Sequence, residues 1–372
     1  MTADFATVAG GVRTWLDSVA FPPGEVTGRW RYSRHMVRDW AVESSTQAVS
    51  ILALLGDLPT WTRARRDRVV AEVQGWQDPE TGLFKDPLIR PEDKVSEHHS
   101  WEHIWLHHTG CCVGMLRWLD AAPLHPLPTR AFVSAAQEDD PDWVLGLGWE
   151  NPWSAGEHFL RVIDAHRNRH GLTGRETDGR IDAAFAVLES KVLSPDTGLP
   201  DRFNRTDPPR AMAGLFKLIP AYGQVGRPLP WPERAIDSVL AMQDKAGGFG
   251  QDNLCIHWDA LLVLVRLNEQ LDGAHRFDDI AAAGARAAGF LCRVHRRRDG
   301  GFSFHSDQCI QVHNSVRVSE PLPESDTVGT SMSLRCLRYA HTWAAGQAAI
   351  PAPPQFGRRA GAGCEGASGA SL

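Results

Sequence analysis

The chain has 372 residues, 42% of them hydrophobic and 23% charged, the balance of an ordinary globular protein. A formal net charge of −6 gives no general affinity for nucleic acid, and no run of about eighteen apolar residues exists to span a membrane. Seven cysteines without a CxxC pair fit a reducing cytosol; the opening MTADFATVAGG has neither the basic nor the apolar stretch of a signal peptide, so the expected compartment is cytoplasmic.

In chain order, residues 5–19 read as a short amphipathic helix, and the polar, aromatic stretch at 28–39 leads into an apolar helix at 41–55. An arginine-rich helix over 57–77 runs into the turn GWQDPETGLF at 75–84, and a second apolar helix follows at 101–119. Prolines make 121–130 a connector, and a further break falls at 139–141. LGLGWENPW at 145–153 precedes a helical run at 159–164, and 160–169 and 180–191 read as helices. LSPDTGLPDRF at 193–203 precedes a helix over 211–221, and a proline-rich link covers 224–232.

The clearest unit follows: a helix over 235–242, Gln243, the turn Gly247-Gly248-Phe249, then 256–267, which is apolar on nearly every face and so reads as a helix buried all round. A helix at 284–294, the turn RRDGGFSF at 297–304, an irregular stretch at 306–324 and a helix at 330–339 close the pattern. Turns near residues 25, 82, 147, 198, 248 and 301 recur about every fifty to sixty residues. A hairpin that buries one of its helices completely must stack between like neighbours. The expected fold is therefore all-α, a six-hairpin (α/α)6 toroid with a central cavity, one domain over 1–349. Residues 350–372, poor in apolar side chains, are expected to be a disordered tail.

ERAIDSVLAMQDKAGGF at 233–249, an alanine-containing helix, a glutamine and then Gly-x-Phe, resembles the QW-type repeat of the terpenoid cyclase and protein prenyltransferase superfamily. The resemblance covers the repeat framework, and it implies an α/α toroid with the glycine turns on one rim and the inner helices starting at a central cavity. In the zinc-dependent prenyltransferases of that superfamily an Asp-x-Cys pair follows a glycine turn. Here Asp252-Asn-Leu-Cys255 is one residue too long, and Gly329 stands near where a later histidine belongs, which argues against zinc prenyl transfer. Class II terpenoid cyclases carry a DxDDT-like acid, and Glu324-Ser-Asp326-Thr327 is similar in part. Asp139-Asp140-Pro-Asp142 reads as loop.

The expected function is a terpenoid-cyclase-like enzyme that cyclises or isomerises an apolar isoprenoid-type small molecule by acid–base chemistry, with no cofactor. Asp326 is the expected proton donor, or else merely a helix N-cap; Asp259 or His257 is its partner or the terminating base, with His103 and Glu157 also placed among the catalytic candidates. Trp101, Trp153 and Trp258 would form the aromatic wall together with His99, and Arg210 and Lys217 would hold an anionic head group. His99, His103 and His107 share a helix face, and His99-Ser-Trp-Glu102-His103 matches the HxxEH zinc pattern, but no third carboxylate partner is identifiable and no metal is assigned. Two other classes fit the same residues. One is a carbohydrate-active (α/α)6 hydrolase or lyase using a carboxylate pair such as Glu157 with Asp259 or Asp326; the other is a non-catalytic ligand-binding toroid.

Overall fold

The computed structural model describes residues 5–25, 27–250 and 253–351. Asp252 and the tail from 352 onward lie outside the described residues. The chain is predominantly helical: α1 (Phe5–Ser18), α2 (Val42–Leu54), α3 (Arg63–Gln74), α4 (Trp101–Trp118), α5 (Pro152–His170), α6 (Gly179–Val187), α7 (Pro208–Val225), α8 (Pro232–Ala241), α9 (Leu254–Gln270), α10 (Phe277–Val294) and α11 (Thr327–Ala344). The four strands are two residues long each, paired as two small hairpins, Ala20–Phe21 with Arg29–Trp30 and Val312–His313 with Val316–Arg317. No helix among the described residues is long and apolar enough to cross a membrane.

Six helices carry the interior. α2 packs on α4, α5 on α7, α7 on α9, α9 on α11, and α11 returns to α2. Between α4 and α5 the junction is made by side chains, with the Arg161 guanidinium of α5 laid where a Cβ on Gly110 of α4 would stand. Of the remaining helices, α1 and α10 lie against α11, α3 against α4 and α8 against α9, while α6 packs on the segment at 141–147. The third outer position holds no α-helix. Its prolines leave 121–136 irregular, two short 3-10 helices follow at Gln137–Asp139 and Pro141–Leu147, and His166 of α5 pins the segment through Glu138 at 2.7 Å.

The turns are built alike, which is the physical content of the repeat. Asp78, Ser194, Asp244 and Arg297 each donate a backbone N–H across the turn, to Leu83, Leu199, Gly248 and Gly301 at 2.9–3.0 Å. Gly82, Gly198, Gly247 and Gly300 sit there at positive φ. Each also presses on the next outer segment: a Cβ on Gly247 would lie 2.4 Å from the Arg286 carbonyl oxygen of α10. Gln77 and Gln243 perform the same task in their repeats. The Gln243 amide donates to Gly247 O at 3.1 Å and Ala283 O at 2.9 Å, and that of Gln77 to Gly82 O at 3.1 Å and His125 O at 2.9 Å. The chain also closes on itself, for Gly300 of the last turn lies against Gly11 of α1, 2.4 Å from where its Cβ would be.

The helix bounds follow the sequence expectation with local differences. The runs at 159–164 and 160–169 belong to one helix, α5, which starts earlier because Pro152 at its first turn loses no hydrogen bond there. α7 also begins on a proline, with Asp207 capping Arg210 N at 3.1 Å, and runs through Pro220. α6 ends in a wide turn over Leu188–Val192. The irregular stretch 306–324 folds across the N-terminal ends of α2 and α4, where Ser315 Oγ accepts from His99 N at 3.1 Å and Val37 N donates to Val318 O at 3.1 Å.

Candidate functional site

A cavity of about 940 Å³ lies inside the six inner helices, and every one of them contributes to its wall. Glu43 and Gln47 come from α2, His107 and Cys111 from α4, Trp153, Glu157 and Arg161 from α5, Phe216 and Lys217 from α7, Trp258 and Asp259 from α9, and Met332 from α11. His99, just before α4, and Phe304, His313 and Asn314 complete the turn-side end. The reason is geometric: the apolar faces that fix these helices against their neighbours leave the first turns pointing inward.

Three groups of polar side chains divide the wall. In the first, Glu43 is buried and accepts from His107 Nε2 at 2.9 Å and from the Tyr32 hydroxyl at 3.2 Å, with His313 Nδ1 3.0 Å away. Cys111 Sγ stands 3.6 Å from the same His107 nitrogen. Burial alone would raise the Glu43 carboxyl, yet the charges of His313 and His107 hold it well below the usual range.

The second group is a buried network of two cations and two carboxylates. Glu157 accepts from Arg161 Nε at 2.9 Å, and Lys217 Nζ lies 3.0 Å from its other oxygen, at ion-pair distance but angled away from a hydrogen bond. Arg161 reaches Asp164 at 3.3 Å, and Asp164 accepts from Gln224 at 2.6 Å. Against the burial that would raise it, Arg161 and Lys217 keep Glu157 strongly ionised. Lys217 Nζ also stands over the Trp153 ring, 4.6 Å from its centroid.

The third is Asp259. It is 1% exposed, lines the cavity, and its Oδ2 has no hydrogen-bond partner. Burial drives its pKa well above the carboxylate norm, with only Lys217 opposing, which favours the protonated form. Trp258 precedes it and meets Phe216 edge-to-face at 4.9 Å. Towards the turn side, His99 has the complementary property. Burial, then neighbouring His98 and His107, lower it to about 4, and its buried Nε2 has no partner. A carboxyl pushed towards its protonated form and an imidazole held in its neutral form therefore share the cavity.

Of the sequence-derived candidates, Asp259, Glu157, His99, Trp153, Trp258 and Lys217 reach the cavity wall. The others do not. Asp326 is the N-cap of α11, its carboxylate taken up by three backbone N–H groups, Gly329 at 2.7 Å, Phe304 at 2.7 Å and Ile310 at 3.0 Å. His257 faces outward, accepting Phe249 N at 3.1 Å beneath the glycine turn among the rings of Phe290 and His295. Thr109 and Thr330 hold the corresponding turns by accepting from Phe84 N at 2.9 Å and Phe302 N at 3.0 Å, so His257 is a framework residue. His103 is buried beside His99, ring centroids 4.4 Å apart, and Trp101 stacks on Trp105 at 5.4 Å. Arg210 stays on the rim, paired with Asp207 at 3.2 Å. Among the described residues the HxxEH pattern gathers no group of three ligands, and the Glu102 carboxylate accepts Phe132 N at 3.3 Å.

Comparison with known proteins adds little. No family model matches the chain, and no curated protein matches it. A solved structure of a protein from Actinoplanes, 16% identical, is similar over 91% of this chain and 99% of its own, with a TM-score of 0.42.

Sequence reasoning missed Arg161 and Cys111. Both were within reach: Arg161 lies one helical turn after Glu157, and Cys111 continues the four-residue spacing of His99, His103 and His107.

Proposed function

We propose that the chain is a closed six-hairpin (α/α)6 toroid acting as a cyclase or isomerase on an apolar, isoprenoid-type substrate with an anionic head group. The single observation that carries this is Asp259, a buried carboxyl with an unpartnered oxygen on the wall of an aromatic-lined cavity, where burial favours its protonated form. Asp259 passes its proton to an alkene carbon of the bound chain; the π electrons form the new C–H bond and leave a tertiary cation. The faces of Trp258 and Phe216 stabilise that cation through their ring quadrupoles. Loss of a proton to His99 Nε2 restores an alkene and ends the reaction. Arg161 and Lys217, both on the cavity wall, hold the head group in the role first given to Arg210.

A sugar-processing enzyme is the second reading, favoured by the split between a protonated Asp259 and an ionised Glu157, the division of labour that glycoside hydrolysis requires. Turnover of acyclic polyprenes and polyprenyl diphosphates in deuterated water separates the two. One deuterium on a former alkene carbon is expected. Asp259→Asn should cut kcat at least about a hundredfold and leave KM nearly unchanged. Full activity of that variant, or oligosaccharide cleavage with no polyprene consumed, would overturn the proposal.

A further inference from the structure

The geometry points to a transition-metal site, zinc by its donors, on the cavity wall at Glu43, His107 and Cys111, with His313 and Tyr32 steering the carboxylate. One ligand atom from each of these three residues lies within 4.8 Å of the other two. They come from two packed helices, Glu43 on α2 and His107 and Cys111 one turn apart on α4. A carboxylate, an imidazole and a thiol together are a zinc donor set, not that of a hard cation.

Two of the three separations fit a tetrahedral ion closely, and the third lies within 4.8 Å. Zn–S and Zn–N bonds of about 2.3 and 2.05 Å at the tetrahedral angle put sulfur and nitrogen about 3.6 Å apart. Cys111 Sγ and His107 Nε2 are 3.6 Å apart. The corresponding oxygen–nitrogen edge is about 3.3 Å. Glu43 Oε1 and His107 Nε2, joined by a proton, are 2.9 Å apart and would open by a few tenths of an ångström when the metal replaces that proton.

The surroundings are those of a ligand sphere with a gap in it. Glu43 Oε2 is oriented by the Tyr32 hydroxyl at 3.2 Å and by His313 Nδ1 at 3.0 Å, contacts that fix a ligating carboxylate. His108 Nε2 is 3.9 Å from the same oxygen. Glu43, His107, Cys111 and His313 all line the cavity, so a fourth coordination position opens onto it, as in zinc sites that receive water or a substrate oxygen. The site is distinct from the HxxEH pattern. It lies further along α4, and the helix spacing that aligns His99 and His103 reaches Cys111 two turns later.

Metal analysis and cobalt substitution on the full chain test this without any substrate. Protein purified from zinc-supplemented cells and dialysed should retain about one zinc per chain. Metal-stripped protein titrated with Co²⁺ should show tetrahedral d–d bands and a thiolate-to-cobalt charge-transfer band. Cys111→Ser should abolish the charge-transfer band, and His107→Ala and Glu43→Gln should each weaken zinc binding at least about tenfold. His99→Ala should leave zinc content unchanged. Wild-type protein holding less than about a tenth of a zinc per chain, with no cobalt band, would overturn the site whatever the variants do. So would a charge-transfer band that survives Cys111→Ser, or rapid alkylation of Cys111 in protein that takes up no metal.

Discussion

Two buried aspartates show how the same side chain acquires opposite tasks. Asp326 accepts three backbone N–H bonds, which favour its charge, yet its burial is complete and its pKa rises to about 6. Because the folded value exceeds the unfolded one of about 3.9, the folded state holds the proton more tightly. The stability this contributes is fully present below about pH 4 and is lost as pH rises through about 6, a change of roughly 3 kcal/mol. Asp326→Asn would aim an NH₂ group either at the N–H groups of Phe304 and Ile310 or at that of Gly329, so it should destabilise the fold by about 1–3 kcal/mol in urea titration at neutral pH. An unchanged midpoint would show that the cap is not needed. Asp259 has none of those donors, and Lys217 is the single charge that opposes its burial. Burial without those donors favours its protonated form, the form the proposed reaction needs.

At the scale of elements, the glycine turn and its glutamine hold one helix pair to the next. Gln243→Ala leaves the carbonyls of Gly247 and Ala283 without that donor, and should cost about 1–3 kcal/mol by thermal or urea unfolding. Gln77→Ala should cost a similar amount, for its amide makes the same two kinds of bond. A loss in one repeat alone would mean that the two turns are not equivalent. These contacts explain why the helices were legible in the sequence. A turn glycine and a glutamine each leave a signature at fixed spacing, and 256–267 could be apolar on every side only if it was enclosed. The third outer position was the blurred one, because prolines there replace helix with irregular chain.

For the whole molecule, closure is the feature by which the proposed toroid would make a cavity. α11 packs on α2, and Gly300 meets Gly11 at the outer seam. Gly300 has φ of 110° and no room for a Cβ, so Gly300→Ala should lower stability by at least about 1–2 kcal/mol. An unchanged melting temperature would contradict a tight seam. The sequence placed the polar residues near the inner helix starts but could not say which faced inward. Helical spacing fixes neighbours along one helix, while rotation about its axis is set by partners far away in the chain. His257 and Asp259 make the point. Two residues apart, they point to opposite sides of α9, one to the glycine turn and one to the cavity. Asp326 was misleading for a related reason: a motif that marks a catalytic acid and a motif that caps a helix use the same residue types.

The central claim is that Asp259 is a protonated acid on the cavity wall. An infrared difference spectrum between the wild type and Asp259→Asn at pH 7 reads this directly, without a substrate. The account requires a protonated carboxyl C=O band in the wild type, shifted in deuterated water and absent from the variant. A difference spectrum showing only ionised carboxylate bands would contradict it, and the proton donor would then have to be sought elsewhere.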